Sequence, residues 1–194
     1  MALARKLATY DDLLALPEDA RAELLAGEIV AQPSPTVRHQ RINAKLGYRI
    51  SGSFDYDDDD GQGPGGWWIV QDVDIRFTAH DVVRPDLSGW RRARVPVLPD
   101  SRPVDVVPDW ICEILSPSNA KRDRGYKSDL YATHGVSHYW IVDQVEGLLE
   151  AFALRGGTWS RIGMYDDSQR HRIPPFDAVE LSLRGLFKPP SPQT

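Results

Sequence analysis

Apolar positions change their spacing several times along the chain, and each change predicts an element. Thr9 as N-cap, Asp11 and Asp12 in the first turn and Pro17 as a stop predict a short helix over 9–16. AELLAGEIVAQ predicts two short strands around an Ala26-Gly27 turn, a hairpin that would lay Leu24, Ile29 and Val30 on the elements that follow. Over 36–51, Val37, Ile42, Leu46 and Ile50 recur at mixed three- and four-residue spacing, which is an amphipathic helix. From Trp67 the period falls to two. WWIVQDVDIRF, VVRPDLSGW and PDWICEILS are apolar, β-branched or aromatic runs bounded by turn residues, and HYWIVD and GLLEAFAL repeat the pattern further on. Between them, PSNAKRDRGYKSDLYATHG predicts a helix from about Asn119 to His134, stopped at Gly135. A strand, helix, strand crossover makes PDWICEILS and HYWIVD parallel neighbours in one sheet, and a β-hairpin extension should end near Trp159 to Met164.

Composition narrows the class. With 194 residues, 41% hydrophobic and 26% charged, the chain suits one folded domain, expected over 1–188, with the Pro-rich end 189–194 as a frayed tail. Cys112 is the one cysteine, which excludes an internal disulfide, and no Cys/His spacing suits zinc. No apolar run is long enough for a signal peptide or a membrane span, so a cytoplasmic protein without a membrane partner is expected. The net charge of −5 gives no global footprint for nucleic acid. The local runs Arg91, Arg92, Arg94 and Lys121, Arg122, Arg124 have the character of solvated faces. The acidic stretch FDYDDDDGQGPGG fails as a calcium loop, because Asp60 stands where the loop's glycine belongs and Gly66 where its bidentate glutamate belongs; a solvated connection is expected.

The most informative residue is a glutamate inside an apolar strand. In WICEILS, Trp110, Cys112 and Ile114 face one way and Ile111, Glu113 and Leu115 the other. A buried carboxylate costs several kcal/mol unless it is paired, protonated or bound to metal, so Glu113 is either salt-bridged or a ligand. Asp109 on the same strand is about 13 Å away at ~3.3 Å per residue and cannot share an ion with it. Asp100 sits in a Pro-rich turn. Asp86 could come within ~5 Å of Glu113 by antiparallel pairing, close enough for one divalent ion. A cation is the third component. If Tyr126 and Leu130 mark the buried stripe of the following helix, Lys127 lies at its edge and could lean over the sheet; the plain alternative is an exposed Asp123–Lys127 pair worth about 0.3–0.5 kcal/mol. No G-x-S-x-G elbow surrounds Ser116, so SPSN is read as a loop and helix cap rather than a nucleophile.

RPDLSGW, and then PDWICEILSPSNAKRDRGYKSDLYATHGVSHYWIVDQVEGLLEAFAL, resemble the Uma family of predicted restriction endonucleases within the PD-(D/E)XK nuclease superfamily, and ELLAGEIVAQPSPTVRHQRI is similar to that family's N-terminal hairpin and helix. The resemblance covers roughly Tyr10 to Leu154 and is most specific from Glu113 to Asp143. It implies an α/β (α+β) fold: a restriction-endonuclease-like core with a mixed sheet flanked by helices, an N-terminal hairpin and a C-terminal β extension. It implies a site of Asp86, Glu113 and a lysine, with Mg²⁺ held by Asp86, Glu113 and the main-chain carbonyl of Ile114, Mn²⁺ able to substitute, and DNA as substrate. The superfamily's lysine usually stands two residues after the acidic residue; here that position is Leu115, which points to Lys127 instead. Where the family's hairpin commonly carries an acidic residue, this chain has Ala26. Glu23, Glu28, His39 and Asp123 are expected behind the ligands or facing substrate. The alternatives are an inactive module that keeps the fold to bind nucleic acid or protein, and a hydrolase of a smaller phosphoester. Six tryptophans, with Trp67 and Trp68 pointing to opposite faces of one strand, suggest spare aromatic surface and hence a homodimer.

Overall fold

A computed structural model describes residues 6–17, 19–56 and 63–187. The acidic run 57–60 and the tail 189–194, on which two expectations rest, lie outside the described residues. Helix α1 (Tyr10–Leu14) is fixed at its start by the Thr9 N–H, which donates to the Asp12 carboxylate at 2.8 Å. Strands β1 (Ala22–Leu25) and β2 (Glu28–Ala31) form the expected hairpin. Its turn holds Ala26 at φ 50° and Gly27 at φ 72°, left-handed values that favour glycine. Helix α2 (Val37–Phe54) begins at Thr36, whose side chain accepts from the His39 N–H.

The two long β runs each divide. WWIVQDVDIRF becomes β3 (Trp67–Gln71) and β4 (Ile75–Thr78), parted at Asp72, whose φ is 52°. VVRPDLSGW becomes β5 (Asp81–Val83) and β6 (Leu87–Arg91), parted at Pro85, which has no N–H for a ladder. Strands β4 and β5 then join the hairpin in a small sheet of order β2-β1-β5-β4. Strands β3 and β6 join the main sheet of order β10-β9-β8-β7-β6-β3, with β7 (Trp110–Leu115), β8 (His138–Asp143), β9 (Leu148–Arg155) and β10 (Thr158–Tyr165). A two-stranded ribbon, β11 (Arg170–His171) with β12 (Leu181–Ser182), follows. Within the main sheet β7 and β8 run parallel and the other neighbours antiparallel, so the sheet is mixed, as the crossover requires.

The main sheet has two different faces. Trp110, Cys112, Ile114, Trp140 and Val142 pack on Ile42, Leu46, Ile50 and Phe54 of α2 and on Phe176 and Leu183 from the C-terminal segment. Each such side chain stabilises the fold by about 1.5–3 kcal/mol relative to exposure. The opposite face carries Ile111, Leu115, Tyr139 and Ile141 and is covered by Leu130, Tyr131 and Val136 and by Leu25 and Val83 of the small sheet. Glu113 belongs to this second face by strand alternation. Two positions expected in the core are outside it: Val37 is 87% exposed and Ile29 lies on the outer strand of the hairpin.

The connection from β7 to β8 is broken into α3 (Ala120–Arg122), a wide turn at Asp123–Lys127, and α4 (Ser128–Thr133). Gly125 (φ −109°, ψ −105°) kinks the chain there. The expected continuous helix is therefore corrected, and so is its stripe: Tyr126 is 40% exposed, whereas Lys127 is buried. Trp67, Trp90, Trp110 and Trp140 are buried, and Trp68 and Trp159 pack against core clusters, so this chain's own folding absorbs the aromatic surface from which a dimer was expected. Arg91 and Arg92 lie over Trp67 and Trp68, and Arg94 pairs with Asp109; Arg91 and Arg94 remain exposed, as expected of a solvated face, and the run has a structural task besides. No helix among the described residues is long and apolar enough to cross a membrane.

Candidate active site

Strand register sets the first pair of carboxylates. Leu87 stands opposite Cys112 in the β6–β7 ladder, so Asp86, one residue before β6, arrives beside the end of β7. Its Oδ2 accepts the Ile114 N–H at 2.7 Å, and its Oδ1 lies 3.3 Å from His39 Nε2. The same His39 nitrogen is 3.0 Å from the Ile114 carbonyl oxygen. His39 thus meets both Asp86 and the carbonyl expected to hold a metal. Burial would depress the imidazole's pKa, but the Asp86 carboxylate and the Ile114 carbonyl hold it above its ordinary value.

The second group forms around Lys127. Its ammonium lies 2.7 Å from Glu113 Oε1, 3.0 Å from Glu23 Oε1 and 3.5 Å from Asp123 Oδ1, and the side chain is only 3% exposed. The exposed Asp123–Lys127 surface pair weighed from the sequence is therefore a buried contact. Each partner is held in turn. Tyr131 donates its hydroxyl to Glu113 Oε1 at 2.6 Å, while Glu23 accepts from the Arg84 N–H at 2.8 Å and from Gln32 Nε2 at 2.6 Å. Tyr139 donates to the Asp123 main-chain carbonyl.

Charge in this cluster is unbalanced. Glu23, Asp86, Glu113 and Asp123 are all buried, and among them lies one buried lysine. Burial pushes the Glu113 carboxyl well above the usual range; Lys127 pulls it down, and Asp123, Asp86 and Glu23 push it up again. Burial likewise lifts Asp123 to about 6 against the pull of Lys127. For Lys127, burial acts against the charged form, but Glu113, Glu23 and Asp123 together hold its pKa well above the ordinary value. Asp123 Oδ2 is buried and has no hydrogen-bond partner among the described residues. The cluster is short of positive charge.

A cavity of about 280 Å³ opens onto both groups, and Glu23, His39, Asp86, Glu113 and Lys127 line it together with Arg21, Arg84, Ser116 and Asn119. Among the described residues, no three His, Cys, Asp or Glu side chains are already gathered as a metal-binding cluster. The oxygens that could hold a cation are those of Asp86 and Glu113 and the Ile114 carbonyl, which His39 also contacts. Hard oxygens of that kind suit a divalent cation such as Mg²⁺. Cys112 offers no competing nucleophile, since burial drives its thiol pKa well up.

The structure thus brings Asp86, Glu113, Ile114, Lys127, His39, Glu23 and Asp123 together. Glu28 does not line the cavity; it opens β2 on the outer strand of the hairpin. Glu23 is the residue whose part was underestimated. Expected behind the ligands or facing substrate, it touches Lys127 directly, and its signal is a charged residue inside AELL, a strand that is buried throughout.

A family model described as Uma2, "Putative restriction endonuclease", matches residues 7–184. The crystal structure of a "putative nuclease belonging to DUF820" from Anabaena variabilis superposes with a TM-score of 0.70 at 22% identity, covering 92% of this chain and 97% of that one. At that identity the likeness is one of fold, and it matches the mixed-sheet α+β architecture expected from the sequence. No curated protein gives a significant match.

Proposed function

The chain belongs to the Uma2 family, and from that premise we propose that it is a Mg²⁺-dependent endonuclease that hydrolyses DNA phosphodiester bonds. One observation carries the reading: Asp86, Glu113 and Lys127 line one cavity, and the main chain of Ile114 is tied to two of its lining residues, its N–H to Asp86 and its carbonyl to His39. Asp86, Glu113 and the Ile114 carbonyl would hold Mg²⁺, or Mn²⁺ in its place. Bound there, the ion supplies a Lewis acid for the phosphoryl oxygen and a water acidified for in-line attack. His39 orients two of these donors, Asp86 and the Ile114 carbonyl, through one nitrogen. Lys127 places its positive charge where negative charge develops on the phosphate, and Glu23 and Asp123 fix the ammonium in position.

Cleavage of supercoiled plasmid with Mg²⁺ or Mn²⁺ tests the proposal. Nicked or linear product is expected from the wild type. Asp86→Asn should reduce the rate by roughly 100-fold or more, because the amide oxygen can still accept from the Ile114 N–H but the charge is gone. Binding of DNA without cleavage under all metal conditions would favour the inactive module instead. Hydrolysis confined to a small phosphodiester such as bis(p-nitrophenyl) phosphate would assign a smaller substrate. Cutting both strands of a duplex calls for two sites, so a two-fold dimer is part of this reading. Light scattering that returned the monomer mass of 21.8 kDa on DNA-cleaving protein would remove the dimer from it.

A further inference from the structure

Helix α2 carries Arg38, Arg41, Lys45 and Arg49 along one side, Arg38 exposed and the other three half-buried beside the C-terminal segment. At 3.6 residues per turn these four fall within an arc of about 80° and extend over roughly 16 Å of helix axis. None of them makes an ion pair among the described residues. Arg38 donates to the Gln144 carbonyl, Arg41 and Lys45 to the Gly185 carbonyl at 3.3 Å each, and Arg49 to the carbonyls of Ser182 and Arg184 at 2.7 and 2.9 Å. Six arginines elsewhere differ: Arg76, Arg84, Arg92, Arg94, Arg102 and Arg124 are each paired with an aspartate or a glutamate, whereas Arg172, like the ridge, meets only carbonyls among the described residues. A carbonyl dipole does not neutralise a full charge, and the residues of the ridge feel each other. Burial and then the charges of Arg41 and Arg49 lower the Lys45 pKa, and burial and Arg41 lower that of Arg49.

In a chain of net charge −5, this row of cations has no acidic partners among the described residues, and the row starts beside the candidate site. Thr36 and His39 line the cavity, and Arg38 lies between them in sequence on the exposed side of the first turn. Tyr48, 81% exposed, stands at the border of the same arc and offers an aromatic face beside the cations. We infer that the Arg38, Arg41, Lys45, Arg49 ridge of α2 is a binding surface for the phosphate backbone of duplex DNA, leading from the cavity along the helix. This rests on the nuclease reading of the cavity. An axial length of about 16 Å matches about five base pairs at 3.4 Å rise per strand, so one groove wall supplies phosphates to the whole row.

The test measures binding of a fluorescently labelled 20-base-pair duplex by anisotropy in EDTA, so that no cleavage occurs, at several salt concentrations. The variant carries Arg38→Gln, Arg41→Gln, Lys45→Gln and Arg49→Gln. Glutamine keeps an N–H donor for the carbonyls while removing the charge, and thermal melting checks that the C-terminal segment is still held. Four lost phosphate contacts should make the slope of log K against log salt shallower by about 3 to 4. If the wild type cleaves plasmid and the folded variant binds DNA with unchanged affinity and slope, the ridge inference fails and the nuclease reading stands. If the wild type binds through the ridge without cleaving, the ridge stands and catalysis falls. Should the variant fail to fold, the single changes Arg38→Gln and Lys45→Gln take its place, each expected to reduce the slope by about 1, and unchanged slopes in both would overturn the inference.

Discussion

Glu113→Gln is expected to abolish Mg²⁺ binding and DNA cleavage while leaving the melting temperature unchanged or raised. Removing one partner of a buried ion pair ordinarily destabilises by about 3–5 kcal/mol, because the other charge is left uncompensated. Here Lys127 would keep Glu23 at 3.0 Å and Asp123 at 3.5 Å, so it is not stranded. The glutamine oxygen can still accept from Tyr131 and from the ammonium. What disappears is one of four buried carboxylates in a cluster with too few cations, and its desolvation cost goes with it. Calorimetric titration with Mg²⁺, together with melting in the presence and absence of the ion, checks both halves. A melting temperature lower by roughly 6 °C or more, about 3 kcal/mol for a chain of this size, with metal affinity unchanged, would make Glu113 a structural partner of Lys127 and nothing more.

That prediction depends on a partner the sequence shows only in outline. The position of Glu113 is legible from WICEILS: strand alternation separates it from Trp110, Cys112 and Ile114, and the structure keeps these on opposite faces. The parallel β7–β8 pair is legible too, because a helix-length connection between two apolar runs leaves little other topology. Register from Leu87 to Cys112 then carries Asp86 to the end of β7. Lys127 is a different case. Regular helical spacing puts Tyr126 and Leu130 inside and Lys127 at their edge, but the kink at Gly125 breaks that spacing and turns Asp123 and Lys127 both inward. No hydrophobic period reports a turn of that kind in advance. Glu23 was hidden for another reason. Its contact with Lys127 spans 104 residues and depends on β1 pairing with β5 in a separate sheet, which follows from the interruptions at Asp72 and Pro85. Local pattern predicts the strands but not which sheet they join.

Lys127→Met should show the opposite asymmetry to Glu113→Gln, since it removes the one cation of the cluster. Methionine keeps most of the stem's length, so packing against the sheet is largely retained. Glu23, Glu113 and Asp123 then face one another in a buried space without compensation, and the expected loss is about 3–5 kcal/mol, a fall in melting temperature of roughly 6–20 °C. Activity, measured well below that melting temperature, should drop by about 100-fold or more through loss of charge stabilisation at the phosphate. The two effects are separable by adding Asp123→Asn. The double variant has one carboxylate fewer and should recover part of the lost stability, whereas cleavage should stay low, because no ammonium has returned to the cavity. Asp123→Asn alone leaves Lys127 with Glu113 and Glu23, and its cleavage should remain close to wild type. If the double variant regained activity along with stability, Lys127 would act only by balancing buried charge, and Arg84 or Arg21, the other cations lining the cavity, would have to be tried for the role at the phosphate.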